Sequence, residues 1–136
     1  MYDFNYHRTA SLKSAAEIHS QSEDPVYLAG GMTLIPTLKQ RLARPTDVID
    51  LGGIDGLSGV KQSAETLNIG SMTTHAAVAA NSAVVSAIPA LSALAGGIGD
   101  PHVRNRGTIG GSIANNDPAA DYPAALVGLD ATVVTT

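Results

Sequence analysis

The 136-residue chain has no cysteine, no tryptophan, a single phenylalanine and only 8 basic residues. Each absence excludes something. Without cysteine the chain forms no disulfide, gives no thiolate to zinc or an iron–sulfur cluster, and offers no thiol nucleophile. With 8 basic against 12 acidic residues and a net charge of −4, it lacks the basic stripes that displace counterions from a nucleic-acid backbone. No run approaches the ~20 consecutive apolar residues of a membrane span. The polar opening MYDFNYHRTA is not followed by the apolar stretch of a signal peptide. Neither nucleic acid nor membrane is therefore expected as a partner, and a soluble, cytoplasmic protein is expected. Aromatics amount to only 4% (Phe4 and four tyrosines) of a chain that is 44% hydrophobic. The core is thus expected to be built from Ala, Val, Ile and Leu, as small-residue helices packed closely on a sheet.

What is present alternates between helical and extended signals. Residues 9–21 carry Leu12, Ala15, Ala16 and His19 at helical spacing, with Thr9 or Ser11 as N-cap. Asp24-Pro25 breaks this segment, and the short apolar run VYLA reads as a strand ending at Gly30-Gly31. The segment MTLIPTLKQRLA, with Leu34, Leu38 and Leu42 at i, i+4 and i+8, reads as a helix with Pro36 in its first turn. After Arg44-Pro45, DVIDL is a second strand. Two strands joined by a helical crossover predict a parallel pair.

Beyond Gly52-Gly53 the pattern changes. LSGV and TLNIG predict antiparallel strands, and 73–80 and 89–98 predict helices capped by Thr73 or Thr74 and by Ser86. Residues 100–117 read as a loop, DYPAALVGL as a helix and ATVVTT as a terminal strand. The shift divides the chain into subdomains 1–53 and 54–136.

Two segments carry candidate chemistry. Ala29-Gly30-Gly31-Met32-Thr33 runs from strand to helix through two glycines, where bare backbone and helix-N-terminal amides can approach an anion. The alternative there is a simple turn. Asp50 lies about 20 residues on, as in the dinucleotide fingerprint, but the third glycine position holds Leu34 or Ile35, so that fingerprint fails. The second segment packs Arg104, Arg106, Gly107, Thr108, Gly110, Gly111, Ser112, Asn115 and Asn116 together. Gly110-Gly111 can present consecutive amides, Thr108 and Ser112 can donate hydroxyl hydrogen bonds, and Asp121 can accept from a hydroxylated ligand. The alternation of Ile109 and Ile113 through this polar stretch implies that it packs against something.

His7, His19, His75 and His102 are scattered without metal-ligand spacing and are expected at the surface, with His102 close enough to the second segment to face a ligand. Asp100 and Asp117 read as loop acids, and no nucleophile elbow occurs. No catalytic residue and no metal site are expected. Two glycine-rich cradles about 80 residues apart, with no evident acid, base or nucleophile, point to a cofactor binder.

The motifs AGGMTLIP at 29–36 and VRNRGTIGGSIANNDPAADYP at 103–123 resemble the two flavin motifs of the FAD-binding medium subunits of molybdenum hydroxylases, the carbon monoxide dehydrogenase and xanthine dehydrogenase or aldehyde oxidase type enzymes. RPTDVIDLGGIDGLSGV and LNIGSMTTHAAV extend the likeness over essentially the whole chain. The resemblance implies an α+β fold of the vanillyl-alcohol-oxidase (PCMH-like) type, with a small N-terminal α/β subdomain and part of a second sheet-and-helix subdomain. It implies that FAD contacts Ala29, Gly30, Gly31, Met32, Thr33, Leu34 and Ile35 from the first motif. From the second it implies Thr108, Ile109, Gly110, Gly111, Ser112 and Asn115, with the pyrophosphate wrapped by 29–33 and 108–112. Asp121 matches an acid that contacts the polar parts of the flavin, and Ile98 falls where some relatives place an aromatic beside the ring.

The implied activity is that of an oxidoreductase subunit in a hetero-oligomer. Electrons from the iron–sulfur clusters of a small subunit, fed by the molybdenum cofactor of a large subunit, pass through FAD to an acceptor. The chain departs from this family at Met32, where a polar residue is usual, at Thr9-Ala10, where many relatives have proline, and in ending at Thr136. From that ending the chain is expected to be a fragment, a truncated gene or part of a split subunit, with an unpaired edge at ATVVTT. Two alternatives follow: a non-catalytic assembly piece that does not hold FAD alone, or another flavoprotein of the same fold.

Overall fold

The computed structural model describes residues 1–135. Its first unit is a three-stranded sheet of β1 (Asn5–Arg8), β2 (Pro25–Leu28) and β3 (Asp47–Asp50), in the order β1-β3-β2 and parallel throughout. The apolar strand β3 takes the centre, where Val48 and Ile49 are buried. The parallel β2–β3 pair agrees with the sequence. β1 does not appear in the sequence reading, because NYHR is an edge strand with Tyr6 more than half exposed, so no apolar run marks it.

Between β1 and β2 runs α1 (Leu12–Gln21), capped by Ser11, whose Oγ accepts from the amide of Ser14 at 3.1 Å. Ala15 is its buried residue. Leu12, Ala16 and His19, expected on the same face, are exposed. The helix α2 (Leu34–Lys39) is shorter than the expected span because Arg41 adopts a φ of 60°, which ends it. Leu38 is buried but Leu42 lies beyond the helix in solvent.

The hairpin β4 (Val60–Gln62) and β5 (Leu67–Ile69) is antiparallel, as read from the sequence, but β4 begins at Val60, where the expected LSGV strand ends. Val60, Leu67 and Ile69 pack on a helical cluster made by α3 (His75–Ala80), α4 (Ser82–Ala87), α5 (Pro89–Gly97), α6 (Pro101–Arg104), α7 (Ile109–Asn115) and α8 (Asp121–Gly128). Thr74 caps α3, its Oγ1 accepting from the amide of Ala77. Asn81 ends α3 and caps α4 by accepting from the amides of Ala83 and Val84. Ser86, expected to cap the next helix, lies inside α4 instead, and α5 starts from Ile88 with Pro89 in its first turn.

The core of this second unit is Val78, Val84, Leu91, Ala95, Ile109 and Tyr122. Its largest fully buried side chain is therefore an aromatic, in a chain expected to build its core from aliphatic residues alone. Residues 100–117 are not a loop: two short helices, α6 and α7, occupy most of them. Ile109 and Ile113 are the i and i+4 residues of α7, which explains an apolar repeat running through polar sequence. Residues 131–135 form no strand, contrary to the reading of ATVVTT, and Thr136 lies outside the described residues.

Candidate functional site

The two glycine-rich segments meet. A Cβ placed on Gly30 would lie 2.0 Å from the carbonyl oxygen of Arg106 and 2.9 Å from Cα of Gly107, so glycine is obligatory for this backbone-to-backbone seam. Across it, a Cβ on Gly111 would lie 3.4 Å from Cβ of Ala29. Gly31 has a φ of 76°, which turns the chain from β2 towards α2.

The seam borders a cleft of about 720 Å³, within the range of small-molecule and cofactor sites. Ala29, Gly30, Gly31, Met32, Thr33 and Leu34 line it from the first segment, and Thr108, Gly110, Gly111, Ser112 and Asn115 from the second. Ile98 adds an apolar wall, together with Met72 and Val103. Three of the sequence-derived residues stand outside it. Ile109 is buried in the core, Ile35 packs its side chain under Gly31, and Asp121 is exposed at the start of α8, next to the cleft-lining Ala120.

Hydrogen bonding separates the two segments. Among the described residues, no group of the chain accepts from the amides of Gly30, Gly31, Met32, Thr33 or Leu34. Five consecutive amides are thus free at the strand-to-helix turn, an arrangement that suits an anion. The second segment differs from the expected amide nest. Ile109 donates to the carbonyl of Thr73, Gly110 to that of Ser71, Gly111 to Thr108 Oγ1 and Ser112 to the carbonyl of Thr108. What this segment offers the cleft is bare Cα surface and the hydroxyls of Thr108 and Ser112. Ser71, which the sequence reading passed over, adds a third hydroxyl to the lining.

Neither arginine of the second segment lines the cleft. Arg104 Nη1 donates to the carbonyls of Ile98 and Gly99, at 3.2 and 2.9 Å, and so ties down the turn that presents Ile98. Asp100 caps α6 by accepting from the amide of Val103, which holds its carboxyl below the usual carboxylate range. Among the described residues Asp117 is the one carboxylate lining the cleft, and His102 is exposed outside it.

The histidine that does reach the cleft is His75, expected at the surface and in fact 5% exposed. Its ring tilts against that of Tyr122, with centroids 5.4 Å apart, and Nδ1 lies 3.3 Å from the Tyr122 hydroxyl. Burial lowers the His75 pKa, opposed by the charge of Asp121, and pushes the Tyr122 hydroxyl up to about 12. Both groups are held neutral. The signal in the sequence was faint: Thr74 as a helix cap places residue 75 in the first turn, but nothing local says which way it faces.

The donor set fits a pyrophosphate-bearing dinucleotide. Free amides and hydroxyls can surround the phosphates without a lining cation, and Ile98, Met72 and Val103 can receive an apolar ring system. Comparisons with known proteins agree. The FAD binding domain of molybdopterin dehydrogenases matches residues 2–136. The nicotine 6-hydroxylase medium subunit of Paenarthrobacter nicotinovorans is 38% identical over 94% of this chain and 45% of its own length. Among solved structures, carbon monoxide dehydrogenase from Hydrogenophaga pseudoflava superposes with a TM-score of 0.87 at 41% identity, covering 90% of this chain and 43% of that one. Quinoline 2-oxidoreductase from Pseudomonas putida 86 gives 0.87 at 34% identity, covering 91% and 44%. The chain thus spans less than half the length of these relatives. Among the described residues no helix is long and apolar enough to cross a membrane. By the match over nearly its whole length, and by a fold shared with these structures, the chain belongs to the family of FAD-binding domains of molybdopterin dehydrogenases.

Proposed function

We propose that this chain is the FAD-holding part of the medium subunit of a molybdenum hydroxylase complex, an oxidoreductase acting in the cytoplasm. The observation that carries the reading is the row of free amides at 30–34, facing a cleft whose other wall is the second glycine motif. In this reading the amides hold the pyrophosphate, and Thr33, Thr108 and Ser112 donate hydroxyl hydrogen bonds to it. Ile98 and its apolar neighbours cover the ring, and Asp121 accepts from polar atoms of the flavin end. Met32 contributes its amide but no polar side chain. The division at residues 53 and 54 then separates the subdomain that carries the amides from the one that carries the second wall.

Bound FAD would supply electron transfer between the iron–sulfur clusters of a small subunit, served by the molybdenum cofactor of a large subunit, and an external acceptor. The chain's own residues bind and orient it. Among the described residues no group of three or more His, Asp or Glu could hold a metal ion.

The test is purification of the natural protein with its neighbours and titration with FAD. A yellow protein with flavin absorbance near ~450 nm, co-purifying with an iron–sulfur and a molybdenum subunit, is the expected result. A protein that takes up no FAD in any assembly would remove the reading. A second reading, in which this stretch of chain does not hold FAD by itself, is favoured by its coverage of only 45% of a close relative's length. Titration of the isolated 136-residue chain decides between them, and micromolar binding would exclude the second.

A further inference from the structure

His75 has an unanswered hydrogen-bonding group. Only 5% of the residue is exposed, its Nδ1 faces the Tyr122 hydroxyl at 3.3 Å, and Nε2, which has no partner among the described residues, is not sealed off but keeps accessible surface. Nε2 lies against Gly107 in the lining of the cleft: a Cβ on Gly107 would come within 2.6 Å of it. Gly107 in turn lies against Gly30, the first residue of the free-amide row.

Satisfying both rings selects one proton arrangement. Tyr122 is completely buried, and His75 Nδ1 is its only partner among the described residues. If Nδ1 carried the imidazole proton and donated to the tyrosine oxygen, the buried phenolic hydrogen would be stranded without an acceptor, which a buried donor avoids. If Tyr122 donates to Nδ1, both atoms are satisfied, and the proton of a neutral imidazole must sit on Nε2. The ring then presents a donor, with no acceptor among the described residues, beside the amide row.

We infer that His75 is a further cofactor-binding residue, whose Nε2–H donates to a pyrophosphate oxygen of the bound dinucleotide, and that Tyr122 is the positioning residue that fixes this tautomer. The inference rests on the reading of the cleft as the FAD site and adds to it a side-chain donor from α3. It also gives the buried tyrosine of an aromatic-poor core a task beyond filling space.

The experiment uses the natural full-length protein freed of flavin, with FAD and ADP as probes, since ADP carries the pyrophosphate without the flavin. His75→Leu is expected to weaken both ligands at least about ten-fold, as for loss of a hydrogen bond to a charged group. His75→Gln, whose side-chain amide nitrogen takes the place of Nε2, is expected to restore most of the affinity. Loss of FAD affinity with ADP unaffected would move the donor to the flavin end and overturn the assignment. Unchanged affinity for both would overturn it while leaving the FAD reading intact. A wild-type protein that binds neither ligand would remove both readings together.

Should His75→Leu fail to fold, nitrogen–proton correlation spectra of the wild-type imidazole give an independent answer. The Nε2–H tautomer, with an Nε2 resonance that moves on adding ADP and a mixture of tautomers in Tyr122→Phe, is expected. An Nδ1–H ring, or an Nε2 resonance indifferent to ADP, would overturn the inference.

Discussion

Replacing Gly30 by alanine tests whether the two glycine motifs are one site. The added Cβ would stand 2.0 Å from the carbonyl oxygen of Arg106, whereas ordinary contact begins at 3.4 Å, so the seam must open by at least 1.4 Å. The opposing atoms are all backbone, belonging to Arg106 and Gly107, and cannot swing aside as a long side chain would. Overpacking of this kind costs about 1–3 kcal/mol. At roughly 3–4 °C per kcal/mol for a domain of this size, the melting temperature should fall by about 3–12 °C. Opening the seam also moves the free amides away from the hydroxyls of α7, so FAD affinity should fall with stability. Gly97→Ala is the matched control. Nothing lies within 4 Å of a Cβ there, and the residue ends α5, so alanine should stabilise by about 0.5–1 kcal/mol. Calorimetry of both variants, with and without FAD, is the assay. A Gly30→Ala protein that melts with the wild type and binds FAD normally would refute the argument.

Three further outcomes are expected. Asp47 accepts from His7 Nε2 at 2.7 Å, and this contact first, then Thr46, holds its carboxyl down at about 2, from an ordinary value of 3.8. The stability it contributes is therefore complete above pH 3.8 and lost as the pH falls towards 2, and Asp47→Asn should flatten that part of an acid-unfolding curve. Leu91→Ala, at a position 4% exposed in the helical core, should cost about 2–5 kcal/mol in denaturant unfolding. Thr74→Ala removes the acceptor for the Ala77 amide and should cost about 1 kcal/mol, where an unchanged midpoint would show that α3 is held by packing alone.

The sequence was most legible where pattern and burial coincide. The apolar β3, the α5 helix and β5 stand where their residues say. Legibility fails where an element is short or its signal is borrowed from elsewhere. β1 is polar because it is an edge, and it exists only because β3 is there to pair with. α4 is hidden because Asn81, a residue that reads as a break, caps one helix directly after ending another. α7 looks like a loop because glycines occupy two positions of its first turn, one of them pressed against Ser71, where a Cβ on Gly110 would lie 2.5 Å from the Ser71 Cβ.

Of the site, the residue types were readable and the division of labour was not. Both glycine motifs predict amide nests, but only tertiary partners decide which amides remain free. The first two of α7, those of Ile109 and Gly110, are taken by Thr73 and Ser71, more than thirty residues upstream, and the next two by Thr108. His75 escaped notice because a side chain's burial is set by what packs over it, here Tyr122 from a helix 47 residues further along the chain.

The contact of Gly30 with Arg106 joins points 76 residues apart in the sequence. Bringing such distant points together costs loop-closure entropy, which many small proteins offset with a covalent bridge. With no cysteine to make one, this chain has a place where a ligand can do the same job reversibly. A molecule gripped by the amides of 30–34 on one side and α7 on the other is a removable cross-link, adding about 2.7 kcal/mol when present at a hundred times its dissociation constant. The cradle itself exists only after both walls have folded and met, so such a ligand would act as the last clasp of the fold and not as its nucleus.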